Sequence, residues 1–499
     1  MSYGDVLQQS NKLATVLAAH SVRRGDRVAF FLEKRFEKVV SIFGISTCGG
    51  VMVPLRRLLK PVQVAHILKD SGTKVLITTY SRLLTLGSVL DEVPSLQTII
   101  ILDKTHSDPD WNGKQSVVEW TTSVPSAAEF AAKTRVIETD LAAILYTSGS
   151  TGNPKGVVLN HLNIVAGARI VSEYLRIDEN DRLLSILTFS FDYGLNQLTT
   201  AFLKGAQIVL LDYLFPADII KAVKSYEVTG LAAVAATWNQ LVQLPWDQES
   251  MPSLRYITNS GGAIPQNFVS ELKRRFSRTD IFLMYGLTEA FRSTYLDPKL
   301  VAQRPTSMGK AIPGEEIIIV DEKGHPVKPG ETGELVHRGL LVSQGYWNAP
   351  ELTSVRFRPN PLQAKEVPIR ETVVFSGDYV RIDEEGFLYF VGRRDEMIKC
   401  SGNRVSPTEI EEVIYAHGDI QDAIVLGIPD EIIGHRIKAL IVAKPDKSIS
   451  VDHLLAYCKK ELPPYMVPHD IEVRKELPRN ANGKLDRAKV KQEVFESLT

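Results

Sequence analysis

The segment from Tyr146 to Gly156 reads YTSGSTGNPKG. It follows DLAAILY, an apolar run from Asp140 that reads as a buried strand. Glycines let a backbone approach a ligand closely and take up positive φ. Exposed N–H groups along Thr147, Ser148, Gly149, Ser150, Thr151 and Gly152, the hydroxyls among them, and the Lys155 ammonium are together suited to a polyphosphate. The spacing is not that of the common P-loop, because Pro154 precedes the lysine and Gly156 follows it. A plain polar turn is the alternative, but a strand running into so many phosphate-type groups is unusual for one.

Such a loop needs elements to hold it. Upstream, RVAFFL, KVLITT and TIIILD read as short buried strands, with KVVSIFGISTCGG as a helix and Asn11 to His20 as the end of another. Downstream a second series follows: RLLSIL, AQIVLL, a helix near Ala217–Tyr226, GLAAVAA, LRYITNS and IFLMYG. This alternation predicts an α/β fold, with mostly parallel sheets covered by helices. After Gly309, EEIIIVDEKGHPVKPGETGELVHRG reads as β-hairpins with Pro/Gly turns. From about Arg394 a small α+β unit begins. In it SPTEIEEVIYAHG is a helix with a Ser406/Glu409 capping box, AIVLGIP a strand and VDHLLAYCKKEL a helix. The expected organisation is a large domain over 1–394 and a small one over 395–499. The large domain would hold βαβ-type subdomains and a β-rich part.

Composition narrows the function. The chain has 499 residues, 44% of them apolar, enough for a sizeable core. Its 58 basic and 59 acidic residues give no electrostatic case for nucleic acid or an anionic membrane. Cys48, Cys400 and Cys458 form no CxxC pair, so neither a disulfide framework nor a zinc site is indicated. No apolar stretch reaches the roughly 18–20 residues that cross a bilayer, and the start lacks a signal-peptide pattern. A cytoplasmic protein is expected.

The phosphate loop and a series of further motifs resemble the superfamily of adenylate-forming enzymes: acyl-CoA synthetases, amino-acid adenylation domains and luciferases. The others, in order, are GGVMVPL, NSGGAIP, MYGLTEA, GELVHRG, SGDY, GRRDEMIKCSGNRVSPTEIE, LPPYMVP and NGKLDR. Within the superfamily, SFDYGLNQLTTA, LMYGLTEAFRSTYLDP and IKCSGNRVSPTEIEEV resemble the acyl-CoA ligase type associated with the exosortase A system. Relatives carry a couple of dozen residues before the equivalent of SYGDVL, so a shortened start is expected.

The resemblance implies an ATP-dependent carboxylate–thiol ligase. It would form acyl-AMP and pyrophosphate, then a thioester with coenzyme A or a carrier-protein phosphopantetheine. Two anions must meet in the first step, so positive charge has to be in place beforehand. By resemblance Lys484 supplies it, reaching the substrate carboxylate and the bridging oxygen. Thr288 contacts phosphate, and Glu289 holds Mg²⁺, a hard cation that one carboxylate and phosphate oxygens suit. Tyr285, followed by Gly286, stacks on adenine, and Gly261 and Gly262 give the base room. Asp378 accepts from the ribose hydroxyls and Arg393 donates to the ribose. Asp395 is the hinge for the small domain, and the loop around Gly402 lines the thiol entry. His161, Cys400 and the run ELKRRFSR carry no expected chemistry.

The acid itself is the open point. Asp192, Tyr193, Asn196, Trp238, Ser260 and Arg292 are expected to line its pocket. A buried carboxylate and a buried guanidinium each need a partner. Either Asp192 and Arg292 pair with each other and the pocket accepts an ordinary acyl chain, or Asp192 anchors a substrate ammonium while Arg292 meets an anionic or polar group. The second arrangement makes an amino-acid adenylating enzyme serving a carrier protein the first alternative, and a small polar or amino-bearing acid the expected substrate. A catalytically silent nucleotide-binding protein is the alternative of another class.

Overall fold

A computed structural model describes residues 1–105, 111–130, 134–147, 154–262, 264–394, 396–400, 403–430, 433–480 and 483–497, with the side chains of 399, 403 and 404 excepted. The chain divides into two compact units. The first comprises Met1–Val228, Leu287–Arg292 and Gly339–Phe357; the second comprises Thr229–Gly286, Ser293–Arg338 and Arg358–Thr499.

In the first unit a seven-stranded sheet runs in the order Ser116–Glu119, Thr98–Ile101, Val75–Thr78, Arg27–Phe31, Val51–Pro54, Leu141–Thr147 and Lys155–Asn160. Neighbours are parallel except the last pair. The inner strands are apolar and buried throughout, as a sheet covered on both faces requires. Ala29, Val53, Ile67, Leu76, Ile99 and Ile144 form its core with the flanking helices. The first helix is Tyr3–Ala19 with His20 as its C-cap, so the segment from Asn11 is its end, as expected. Ser2 and Asp5 form a capping box at its start, and Val6, Leu13 and Leu17 are buried. The antiparallel return strand Lys155–Asn160 was not expected. It turns the phosphate loop into a strand-to-strand connection, with Thr147 and Lys155 as paired residues at its two feet. Arg182–Ser185 pairs in parallel with Gln207–Leu210, as the second alternating series predicts.

In the second unit Gly230–Ala233, Tyr256–Asn259 and Asp280–Tyr285 are parallel neighbours. From there the sheet turns antiparallel through Thr294–Leu296, Ser307–Ala311, Leu388–Arg393 and Thr372–Ile382, ending in Thr332–Gly339 and Glu315–Val320. This is the β-rich part that the Pro/Gly turns predict. A smaller sheet holds Asn403–Val405, Ile398–Cys400, Gly434–Ala443 and Ile420–Asp430, with Asp470–Arg474 alongside Gly434–Ala443. Helices Pro407–Ala416 and Val451–Glu461 contribute Ile410, Ile414, Leu454 and Cys458 to its core. Ser406 caps the first of these by accepting from the Glu409 N–H. All three cysteines are buried and unbridged. Among the described residues no helix is long and apolar enough to cross a membrane.

Lys34 is expected to make the stability of the first unit depend on pH. Its ammonium donates to the Ser185 and Leu211 carbonyls at 2.6 and 3.3 Å, and the Asp212 carboxylate accepts from its backbone N–H. Burial pushes the amine down to about 7 from the ordinary 10.5; Asp212 opposes, while Lys38 and Arg57 act with burial. Between those two values the unfolded chain binds the extra proton, so stability rises with pH. Lys34→Met should therefore gain most over wild type below about pH 7, and the gap should shrink by about pH 10. Unfolding midpoints across that range test this; a gap independent of pH would mean the amine keeps its ordinary proton.

Candidate active site

In the first unit, strand pairing delivers Lys155 to Glu289. The segment 344–347 runs beside the return strand: Gln344 N–H donates to Val158 O, Val158 N–H to Gly345 O, and Trp347 N–H to Gly156 O. Tyr346 is thereby fixed next to Lys155. The Lys155 ammonium donates to the Tyr346 hydroxyl at 3.0 Å and lies 3.7 Å from Glu289 Oε1. The hydroxyl in turn donates to Glu289 Oε1 at 2.6 Å. Glu289 sits in the short helical turn Thr288–Ala290, where its carbonyl accepts from Ser343 N–H. At the other foot of the loop, Thr147 Oγ1 is buried with no hydrogen-bond partner among the described residues. Ser148, Gly149, Ser150, Thr151 and Gly152 lie outside the described residues. Tyr346 escaped sequence reading, because GYWNA has no chemical pattern of its own; only its pairing with the return strand reveals it.

Thr288 faces away from this trio. Its hydroxyl donates to Asp192 Oδ1 at 3.2 Å, and Arg292 Nη1 donates to Asp192 Oδ2 at 2.7 Å. Asp192 opens helix Asp192–Lys204, where a carboxylate suits the positive end of the backbone dipole. Of the two arrangements open from the sequence, the structure holds the paired one. Asp192 and Arg292 are 3% and 2% exposed, so the pair is a true interior one. Arg292 also lies over the Tyr193 ring at 4.9 Å. Asn196 is buried one turn along the helix.

The second unit brings the other motifs together. Tyr285 ends its strand, and its hydroxyl donates to Asp378 Oδ2. Asp378 and Arg393 are partners across Thr372–Ile382 and Leu388–Arg393, with Arg393 Nε 3.3 Å from Asp378 Oδ1. Burial first, then the Asp378 charge, push the Tyr285 phenol well above its ordinary value, so it stays a donor. The ring lies parallel to His337, with centroids 6.1 Å apart. Burial drops the His337 imidazole to about 3, leaving it neutral. Gly261 and Gly262 follow strand Tyr256–Asn259, and the Gly262 carbonyl accepts from Asn259 Nδ2 at 2.8 Å. Gly261 has φ +78°, and a Cβ there would stand 3.0 Å from Lys484 Nζ. The lysine's ammonium therefore lies against the bare backbone of Gly261. Ser260 and Trp238 are buried, and the indole N–H of Trp238 donates to Thr258 O at 3.1 Å. Asp395 and Gly402 lie outside the described residues.

Residues 1–347 match the model of the AMP-binding enzyme family, and residues 409–484 match that of the AMP-binding enzyme C-terminal domain. The chain belongs to the AMP-binding enzyme family. As a member it is an enzyme, an AMP-forming ligase of the acyl-CoA synthetase kind. It is 29% identical to a long-chain-fatty-acid–CoA ligase of Bacillus subtilis, across 100% of this chain and 90% of the relative. It is also 29% identical to tyrocidine synthase 3 of Brevibacillus parabrevis, across 98% of this chain but only 7% of that much longer protein. Among solved structures it is similar to the o-succinylbenzoate CoA synthetase of Bacillus subtilis in complex with its acyl-adenylate intermediate. The TM-score there is 0.83 at 27% identity, covering 98% of this chain and 93% of that one.

For an AMP-binding enzyme, the fit of the residues to Mg²⁺ can be tested on the donor set. Among the described residues no group of His, Cys, Asp and Glu could cage a metal alone. Glu289 is a single carboxylate, 14% exposed, beside Lys155. One carboxylate suits an ion that keeps its waters and takes its other ligands from phosphate. The residues fit Mg²⁺ on those terms.

Proposed function

We propose that this chain activates a carboxylic acid with ATP and transfers the acyl group to the thiol of coenzyme A or of a carrier-protein phosphopantetheine. In the first step a carboxylate oxygen bonds to the α-phosphorus and the bond to pyrophosphate breaks. In the second, the thiol sulfur bonds to the acyl carbon, AMP leaves, and the thiol proton is released. The observation that carries this reading is the Lys484 ammonium lying against Gly261, which joins two motifs far apart in the sequence.

Lys484 is assigned to the reacting carboxylate and the bridging oxygen. Lys155 and the loop from Thr147 to Gly152 are assigned to phosphate. Tyr285, Gly286, Gly261 and Gly262 are assigned to the base, and Asp378 with Arg393 to the ribose. Mg²⁺, held by Glu289 and phosphate, would neutralise charge on the oxygens that separate as pyrophosphate leaves. Tyr346 holds the Glu289 carboxylate in position by its hydrogen bond. Asp395 is assigned to the hinge of the domain over 395–499, and Gly402 to the thiol entry.

The amine-anchor alternative gains little support, because Arg292 and Thr288 already engage both oxygens of Asp192. Pyrophosphate release over fatty, aromatic, dicarboxylic and amino acids, repeated with coenzyme A and with a holo carrier protein, tests the reading. Release with an acid, followed by a thioester, is expected. Binding of ATP with no release for any acid would favour a silent nucleotide-binding protein.

Glu289→Gln should raise the Mg²⁺ concentration needed for half-maximal adenylation by about tenfold or more, because the amide carries no charge toward a hard cation. A Mg²⁺ titration of pyrophosphate release checks it. An unchanged midpoint would remove Glu289 from the metal site.

A further inference from the structure

The Asp192 cluster holds more positive charge and more donors than its own groups satisfy. Arg292 uses Nη1 on Asp192 and on the Phe291 carbonyl, at 2.7 and 2.9 Å. Its Nε and Nη2 are buried with no hydrogen-bond partner among the described residues, although the guanidinium lies over the Tyr193 and Phe291 rings. Asn196 Nδ2 is likewise buried with no hydrogen-bond partner among the described residues, and so are Nε and Nη2 of Arg56. Arg56 feels the Asp192 charge and stands over the Phe191 ring at 5.2 Å, on the other side of Asp192 in sequence from Tyr193. One guanidinium is thus hydrogen-bonded to the carboxylate and a second feels its charge, and the Thr288 hydroxyl is a further donor to it. Unmade hydrogen bonds of buried charged groups are expensive, so an interior excess of cationic donors calls for an anionic acceptor.

The backbone around the cluster is strained to keep it. Phe291 has φ +50°, which a bulky residue rarely adopts. A Cβ at Gly167 would stand 2.6 Å from the Phe291 ring and 3.4 Å from Asn196 Nδ2. Helix His161–Tyr174 therefore presents bare backbone where the ring and the amide pack.

Resting on the ligase reading, we propose that these donors bind a second carboxylate of the substrate, so that the acid activated is a dicarboxylic acid. A carboxylate matches the free edge of a guanidinium and has lone pairs left for the Asn196 amide. The reacting carboxylate is the poorer occupant. It loses its charge as the anhydride forms, so a cationic cluster gripping it would stabilise the ground state more than the transition state. A distal carboxylate keeps its charge throughout, and its binding helps both states.

The experiment measures pyrophosphate release by the whole chain with saturated dicarboxylic acids of increasing length, each against its half-amide. The half-amide has the same shape and lacks the second charge. For the best diacid, kcat/KM should exceed that of its half-amide by about 100-fold or more, as expected when buried polar groups lose their partner. In Arg292→Met that ratio should collapse to within a few-fold. Asn196→Asp, which sets a carboxylate against the incoming one, should lower the ratio as well. Equal use of diacid and half-amide by the wild type, as when water covers the donors, would overturn the inference and leave the ligase reading standing. A ratio preserved in Arg292→Met and in Asn196→Asp would do the same. No release with any acid would instead defeat the ligase reading and this inference with it. The wild-type comparison decides by itself should a variant fail to fold.

Discussion

Lys484→Ala is expected to slow adenylate formation by about 10²–10³-fold, the usual loss when a preorganised charge is removed from a transition state. The ammonium lies against Gly261, a residue with no side chain to hold it off. The turn that carries it is held by hydrogen bonds that do not involve the lysine side chain. Asn480 N–H donates to Lys484 O at 2.7 Å, and Arg479 Nη1 donates to the Gly483 carbonyl at 3.0 Å. Truncating the side chain should therefore remove charge and leave the turn in place. Acid-dependent pyrophosphate release measures the first half-reaction. Thioester formation from supplied acyl-AMP measures the second and should fall far less. Equal losses in both would show that Lys484 does not act on adenylation alone.

Asp192→Ala should destabilise the fold by about 3–5 kcal/mol, the range for removing one partner of a buried ion pair. The substitution leaves Arg292 buried with, among the described residues, only the Phe291 carbonyl to accept from it, and takes from Arg56 the carboxylate that offsets its burial. Arg56 is already held down to about 10 by burial, with Asp192 as the opposing influence. The urea midpoint of unfolding reads the change. Pairing Asp192→Ala with Arg292→Met should recover much of it, since the stranded charge is then gone. A loss below about 1 kcal/mol would put the pair in the class of solvent-screened surface bridges.

Much of the fold and most motif positions were legible because their signals are contiguous. Buried strands such as KVLITT declare themselves by unbroken apolar runs, and the glycine-rich loop by its composition. Other features were not legible. The return strand Lys155–Asn160 reads KGVVLN, too short and too close to the loop to separate from the helix His161–Tyr174 after it. Tyr346 is tied to Glu289 and Lys155 only through pairing between segments nearly 200 positions apart, as the separation of 191 between Lys155 and Tyr346 makes plain. Asp192 and Arg292 could be named from the sequence, but not their partners, because which group a buried charge meets depends on packing. The unfilled donors of Arg292, Asn196 and Arg56 leave no trace in any local pattern. A substrate preference written in such donors is invisible until the helix, the strand end and the strained Phe291 are in place.

The buried cysteines bear on the fate of the intermediate. An acyl-adenylate is a mixed anhydride, and any protein thiolate within reach would compete for the acyl group by forming a thioester with it. Cys48, Cys400 and Cys458 are all interior, and burial lifts the thiols of Cys48 and Cys458 to about 11. At neutral pH a thiol so placed is almost wholly protonated and shielded, and the nucleophile is the thiolate. Cys48 and Cys458 are thus poor competitors for the incoming acceptor. Self-acylation at those two positions is disfavoured, which leaves the activated acid to a thiol that arrives from outside.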